Sequence, residues 1–265
     1  MKTTISENNK LISNDEERLA VFLKERNLQK VNLNSVEVYP ADNFYVRYAK
    51  RWLDLLIGVP AFILTLPFNI VFGICTFFDV GRPIFYKQTR TGKDGKLFVM
   101  VKFRNMNNNL DADGKLLPAK ERVTKFGKFM RKYSLDELLN FWSVVKGDMS
   151  IIGPRPLPEF FTYRMSERHK KRYVVRPGLE CPRVIVFEDD SLCNYHKQFE
   201  NDIWYVENVS FLTDVKLCFL LVQMVFDMKT RTNRAKGNAT SYFVGYDESG
   251  HALSMNTAKE VYKDF

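Results

Sequence analysis

Between Asp54 and Asp79 the chain carries no charged side chain. Those 24 residues, 55–78, would extend about 36 Å as a helix, enough to cross the hydrocarbon core of a bilayer. Buried helices of soluble proteins rarely hold so long an uncharged run. Two features argue against a plain span. Pro60 and Pro67 interrupt the run and Asn69 follows, and each proline removes a backbone bond and kinks a helix. Both flanks are also basic, with Arg47, Lys50 and Arg51 before and Arg82, Lys87 and Arg90 after, whereas a single span shows a charge asymmetry. The pattern predicts a re-entrant helix over 47–80 that bends at Pro67 and returns, keeping both ends cytoplasmic.

A second stretch carries chemistry. Ser134-Leu135-Asp136-Glu137-Leu138-Leu139 is followed by the Gly-, Pro- and Arg-rich run Lys146 to Pro156. Ser134 and Glu137 have the spacing of a capping box, and Leu135, Leu138, Leu139, Trp142 and Val145 repeat at helical spacing behind them. Glu137 can therefore be a cap partner, with Asp136 complementing the helix dipole. The same helix start also favours anions, and an ionised Asp136 beside a bound phosphate could attack phosphorus. Residue pattern alone leaves both readings open.

The rest of the chain narrows the class. Forty Lys and Arg against 31 Asp and Glu give a net charge of +9, which favours an anionic partner: nucleic acid, lipid headgroups or a phosphorylated substrate. No RNP, helix-turn-helix or zinc-finger pattern supports nucleic acid. The four cysteines form no C-x-x-C pair, and His169, His196 and His251 lack zinc-ligand spacing. Residues 1–46 are a polar extension containing one short helix from about Asn14 to Arg26. Residues 84–86 and 97–101 are strand-like and joined by a turn with Asp94-Gly95, a hairpin signal. Residues 105–124 read as a long polar loop. Lys125 to Tyr133 interleaves bases with aromatics and suits a helix against headgroups. Residues 164–176 form a basic segment expected to be largely a solvated face, and 211–228 an amphipathic, interface-lying helix. Residues 229–265 are polar. The fold class is therefore α+β and helix-rich, a monotopic membrane protein with a Pro-broken re-entrant helix and a small β-hairpin. The body of the chain spans 81–228, followed by a polar C-terminal extension from 229.

Taken in order, Lys50-Arg51-x-x-Asp54, Gly81-x-Pro83-Ile84-Phe85, Gln88-x-Arg90-x-Gly92, Lys102-Phe103-Arg104-x-Met106, the dyad segment, Lys146 to Pro156 and Arg176-Pro177-Gly178 resemble the bacterial monotopic phosphoglycosyl transferases, also called bacterial sugar transferases. The likeness runs from about Ala49 to Asp227. It implies transfer of a sugar-1-phosphate from a UDP-sugar to polyprenyl (undecaprenyl) phosphate with release of UMP, the first membrane step of glycan assembly. Asp136 would be the nucleophile that carries a covalent phosphosugar, and also the ligand of Mg²⁺. Glu137 would be an acid/base or orienting partner. Lys102, Arg104, Arg131, Arg155 and Arg176 would hold phosphates, and Pro67 would be the membrane kink. The resemblance places the enzyme on the cytoplasmic face of the bacterial inner membrane, among membrane lipids, and leaves room for a homodimer.

Three positions depart from the pattern. Leu66 precedes Pro67 where relatives often carry serine, leaving Asn69 as a stand-in for the bond that proline cannot make. Leu179-Glu180-Cys181-Pro182-Arg183 replaces a second glycine and a glutamine, in a region associated with the nucleotide sugar. Residues 1–46 exceed the family core. The altered 179–183 segment motivates an alternative, a non-catalytic membrane-bound relative acting as partner or regulator.

Overall fold

The computed structural model describes residues 14–189, 191–227 and 242–262. Helix α1 (Asn14–Leu23) and helix α2 (Gln29–Leu33) are joined by one π-helical turn. A second π turn at Tyr45–Ala49 leads into α3, Lys50–Val80. Helix α3 is continuous through Pro60 and Pro67. The break expected at Pro67 does not divide it into two helices. The Thr65 hydroxyl donates to the carbonyls of Ala61 and Phe62 at 2.8 and 3.1 Å, a back-bond that tends to bend a helix. Asn69 does not stand in for the missing proline bond, because neither polar atom of its amide has a hydrogen-bond partner.

The faces of α3 are reversed from those of a soluble helix. Lys50, Asp54, Gly58, Asn69, Gly73 and Thr76 are its buried positions, a stripe at helical spacing. Trp52, Leu56, Ile63, Leu64, Phe68, Ile74 and Phe78 point outward and are exposed. The helix touches the rest of the protein near its start, its middle and its end. Asp54 accepts from the Ser150 hydroxyl at 2.7 Å and the Ile151 amide at 3.0 Å. The rings of Phe62 and Trp142 lie 5.3 Å apart, and Asp79 accepts from the Thr124 hydroxyl at 2.6 Å.

The predicted hairpin is β1 (Phe85–Thr91) and β2 (Leu97–Phe103), antiparallel with Phe85 opposite Phe103. Residues 105–124 are more ordered than a plain polar loop, with bridges Met106–Val123 and Leu110–Leu116 and a short helix α4 (Ala119–Arg122). Helices α5 (Lys125–Lys132) and α6 (Asn140–Lys146) flank the dyad. Strand β3 (Ser150–Ile152) then pairs in parallel with β4 (Gly178–Glu180). The pairing explains the glycine of Arg176-Pro177-Gly178: a Cβ at Gly178 would lie 2.1 Å from the Gly153 nitrogen, so only glycine lets the two backbones meet.

The basic segment 164–176 follows α7 (Glu159–Thr162) and folds as α8 (Glu167–Lys170) and a 3₁₀ turn. It is not simply a solvated face. Arg164 and Arg172 are buried, Arg164 donating to the Phe243 carbonyl and pairing with Glu17 at 2.7 Å. Helices α9 (Asn194–Asn208) and α10 (Phe211–Phe226) complete the body. Among the residues of α10, Asp214 and Leu217 are buried, while Leu212, Phe219, Val222 and Phe226 are exposed.

The two polar extensions meet. Strands β5 (Phe243–Tyr246) and β6 (Ala252–Ser254) and helix α11 (Met255–Val261) pack against α1. Leu19, Leu23, Val244, Leu253, Met255 and Ala258 form their shared core, and the Asn27 amide donates to the Tyr246 carbonyl at 2.8 Å. What read as two separate tails is one module, assembled from both ends of the described chain.

Candidate active site

The dyad sits on a sharp turn. Thr124 caps α5 by accepting from the Gly127 amide at 2.8 Å. Ser134 then takes the left-handed conformation, φ 56°, which a non-glycine residue adopts only where its surroundings enforce it. A single 3₁₀ turn, Leu135–Glu137, presents the two carboxylates ahead of α6. The capping box suggested by the sequence does not form: Ser134 makes no capping bond. Glu137 turns the other way, and its Oε1 accepts from Lys102 Nζ at 2.5 Å and from Arg155 Nη2 at 2.6 Å. Strand β2 supplies Lys102, and the Gly153–Pro156 turn supplies Arg155.

Asp136 is buried. Its Oδ2 accepts from the Asn105 amide at 3.0 Å, and Arg131 Nη2 donates at 2.8 Å to the other end of that amide. Asn105 thus couples α5 to the first carboxylate.

The two carboxylates differ electrically. Burial, and then the neighbouring Glu137 charge, raise Asp136 above the ordinary carboxylate range, against the pull of Lys102 and Arg131. Burial would also raise Glu137, but the charges of Arg155 and Lys102 outweigh it and hold Glu137 well below that range. Burial lowers Lys102, with Glu137 opposing. Adjacent carboxylates driven apart in this way are suited to different tasks.

A second layer fixes Arg155. Its Nη1 donates to Glu180 at 3.2 Å and to the Leu179 carbonyl at 3.3 Å. Arg172 donates to the Arg155 carbonyl at 2.8 Å and pairs with Asp202 at 2.7 Å. Arg90 donates to the Pro156 carbonyl at 3.0 Å, and burial, followed by repulsion from Arg155, pulls it down to about 10.

Of the sequence-predicted residues, Asp136, Glu137, Lys102, Arg131 and Arg155 come together. Arg104 and Arg176 do not. Arg104 donates to the carbonyls of Val80 and Arg82, where a cation satisfies the end of α3. Arg176 donates to the Gly147 carbonyl at 3.2 Å, near Arg51. Sequence reasoning missed Asn105, Glu180 and the Arg172–Asp202 pair. Asn105 occupied the unassigned position of Lys102-Phe103-Arg104-x-Met106, so a polar residue inside that motif was the available signal. Among the described residues no cluster of three His, Cys, Asp or Glu could enclose a metal. The donors on offer, Asp136 and the second oxygen of Glu137, fit Mg²⁺ only as an ion shared with substrate phosphates, its usual mode of binding.

A sequence profile of the bacterial sugar transferases matches residues 45–228, well over half the chain. The chain belongs to the bacterial sugar transferase family. Among its relatives, an uncharacterized sugar transferase, EpsL, of Bacillus subtilis is 41% identical over 146 residues, covering 55% of this chain and 71% of its own. An Aeromonas hydrophila UDP-N-acetylgalactosamine-undecaprenyl-phosphate N-acetylgalactosaminephosphotransferase is 31% identical over 188 residues, 67% of this chain and 44% of its own. A Klebsiella pneumoniae UDP-glucose:undecaprenyl-phosphate glucose-1-phosphate transferase is 35% identical over 182 residues, 65% of this chain and 39% of its own. The chain thus spans about two fifths of the length of these two phosphotransferases. The family region begins at the turn before α3 and ends just after α10, so this sugar transferase carries its dyad, its basic ring and its apolar helix inside the shared part. The module built from α1, α2 and β5–α11 lies outside it.

Proposed function

We propose that this protein transfers a sugar-1-phosphate from a UDP-sugar to polyprenyl phosphate through a covalent intermediate on Asp136. The observation that carries this is the split dyad: one carboxylate clamped by two cations, beside another that is buried and held by one amide. The Asp136 oxygen attacks the phosphorus next to the sugar, the bond to the bridging oxygen breaks, and UMP leaves with that electron pair. An oxygen of polyprenyl phosphate then attacks the same phosphorus and frees Asp136. Glu137, kept ionised by Lys102 and Arg155, acts as an orienting group, since a carboxylate held so low transfers protons poorly near neutral pH. Lys102, Arg131 and Arg155 offset the charge of the phosphates, the main electrostatic task in phosphoryl transfer. Asp136 would hold Mg²⁺, which supplies further charge neutralisation when bound.

The altered 179–183 segment motivates a non-catalytic reading, but its Glu180 gives Arg155 a second carboxylate partner beside Glu137, which favours an active site. The outward apolar face of α3, and the contact of both its ends with one body, support a helix embedded from the cytoplasmic side with its two ends on that side.

Full-length protein in nanodiscs with Mg²⁺, undecaprenyl phosphate and a panel of UDP-sugars tests the reaction. UMP release from one donor, abolished in Asp136→Asn, is expected. A wild-type protein that is folded and membrane-bound yet releases no UMP from any donor overturns it.

A further inference from the structure

A cavity of about 240 Å³ opens where the terminal module meets the body. Residues of the stretches 31–35 and 248–251 line it together with residues of α8 and α9. Both stretches lie outside the family region, 45–228, so the cavity exists only because this chain carries its two extensions. All three histidines of the chain, His169, His196 and His251, line it.

The three rings differ in what they have left to offer. His169 is satisfied on both nitrogens, by the Tyr246 hydroxyl and by Glu200 Oε1, each at 2.8 Å. His196 is not. Its Nδ1 accepts from the Ala252 amide at 3.3 Å, and burial pulls the ring down to about 4, so it is neutral and carries its proton on Nε2. That N–H has no partner among the described residues, and the His251 ring stands edge-on to the His196 ring with centroids 4.9 Å apart. The charges on the walls are already paired, Arg168 with Glu200 and Glu248 with Arg26. A small anion would meet two carboxylates, and a metal ion would find no group of three ligands among the described residues. What stays free is a mixture of donors and acceptors. The His196 N–H can donate, the second oxygen of Glu248 can accept, and the Ser35 hydroxyl, which donates to the Asn32 carbonyl at 2.9 Å, can accept as well. An uncharged ring bearing several hydroxyls matches such a wall, because each hydroxyl both donates and accepts. The volume falls below the roughly 300–1,000 Å³ of drug-sized ligand pockets, which suits one ring and not a nucleotide.

We infer that this cavity binds a single neutral sugar ring, a hexose or its N-acetyl derivative, whose hydroxyls bond to His196, Glu248 and Ser35. The site shares no residue with the ring around the dyad and does not depend on the transfer reaction proposed above.

Diethylpyrocarbonate acylates neutral imidazole, and every histidine of the chain lines the cavity, so histidine modification read by mass spectrometry reports on this site alone. With full-length protein in nanodiscs, at least one of glucose, galactose, N-acetylglucosamine and N-acetylgalactosamine at millimolar concentration should slow modification of His196 and His251 several-fold, and inorganic phosphate should not. Protection by none of the four, or equal protection by phosphate, overturns the assignment. His196→Phe keeps a ring but loses the N–H, and should weaken binding of the protecting sugar about tenfold, the effect of one hydrogen bond; unchanged affinity overturns it as well. Ser249 is an exposed turn residue at the cavity wall, so Ser249→Trp can close the mouth without disturbing the core. Saturation-transfer NMR with the same sugar should lose its signal in Ser249→Trp and keep it in Asp136→Asn. The reverse pattern would seat the sugar at the dyad and overturn the inference. None of these readouts uses UMP release, so a failure of the transfer reaction would leave the sugar site standing.

Discussion

Arg155 donates to Glu137 at 2.6 Å while its own carbonyl accepts from Arg172 at 2.8 Å. The cation that polarises the dyad is thereby tied to a buried pair far along the chain. Removing the Arg155 side chain leaves Glu137 with Lys102 alone, so the Glu137 carboxyl should rise toward its usual range. Arg155→Ala is expected to lower kcat/KM roughly 10²-fold, with a second ionisation appearing on the acid side of the pH–rate profile. A single unaltered acid limb would show that Glu137 is held by something else.

Asp136 must be ionised to attack, and its carboxyl lies above the usual value. Activity should therefore fall off at a higher pH than an ordinary aspartate, whose value is 3.8, would give. Asn105→Ala removes a bond to the charged form, which raises the carboxyl further. The acid limb should move up, and kcat should drop by roughly tenfold or more from the lost hydrogen bond. A drop in kcat with an unmoved acid limb would make Asn105 merely structural.

The same shift has a consequence for stability. A carboxyl whose folded value is raised contributes most below its unfolded value, and that contribution is lost as pH rises through the folded one. At neutral pH the burial of ionised Asp136 is therefore a net cost. Asp136→Asn should abolish turnover and raise the melting temperature at pH 7, with the gain vanishing near pH 3. Equal melting temperatures at both pH values would contradict the raised carboxyl.

Which features could be read without coordinates follows from the range of the interactions. The apolar run 55–78, the Asp94-Gly95 turn and the helix at 125–132 are local patterns, and each sits where its period and turn chemistry put it. Membership of the dyad ring was legible for Lys102, Arg131 and Arg155 through ordered motifs. The partners were not: Glu137 has the spacing of a cap, yet two cations from distant segments outbid the Ser134 backbone. Arg104 sits in the same motif as Lys102, but at the end of β2 it meets the carbonyls that close α3. The terminal module was invisible because α1 and β5 pair across more than 200 residues of sequence. The helical stripe of Leu19, Phe22 and Leu23 was a sign of a partner, though not of which one.

Arg172 and Asp202 are both fully buried and pair at 2.7 Å. Arg172→Met should destabilise the protein by about 3–5 kcal/mol, because it leaves a carboxyl without its counter-charge. Pairing it with Asp202→Leu should recover much of that loss. Activity should recover less, since Arg172 also holds the Arg155 carbonyl. Chemical denaturation of the two variants, alongside UMP release, separates these effects. A double variant as unstable as the single one would mean that packing, not charge, dominates there.

The terminal module should be part of the fold's stability. Gly245 has φ +152°, and a Cβ there would lie 2.9 Å from the Leu23 Cβ. Gly245→Ala is therefore expected to cost about 1–3 kcal/mol, and Leu23→Ala about 2–5 kcal/mol. Because Arg164, next to the module, pairs with Glu17 and the Phe243 carbonyl, loosening should spread to α7 and α8. Hydrogen exchange in Gly245→Ala should show faster exchange at residues 159–170 and unchanged protection in α6. Protection lost only within α1 and β5 would confine the module to a local role.

Helix α3 makes the strongest prediction about the membrane. It engages one body at Asp54, Phe62 and Asp79, while Leu64 and Phe68 on the outer face are exposed. A helix so attached along its length cannot place its two ends on opposite sides of a bilayer unless that body is itself immersed. Fluorescent or protease-sensitive tags at residues 1 and 265 should therefore both report the cytoplasmic side in intact cells. Changing Leu64 or Phe68 to Lys should weaken membrane retention, at a cost of about 2.5–3.5 kcal/mol if the site lies deep in the hydrocarbon and less toward the interface. Changing Thr76, which faces the protein, to Val should leave retention intact. Tags on opposite sides would require a spanning helix and the separation of one end of α3 from the catalytic body. The Asp79–Thr124 bond would then have to be absent in the membrane, and labelling of Thr124→Cys from the cytoplasmic side would reveal it.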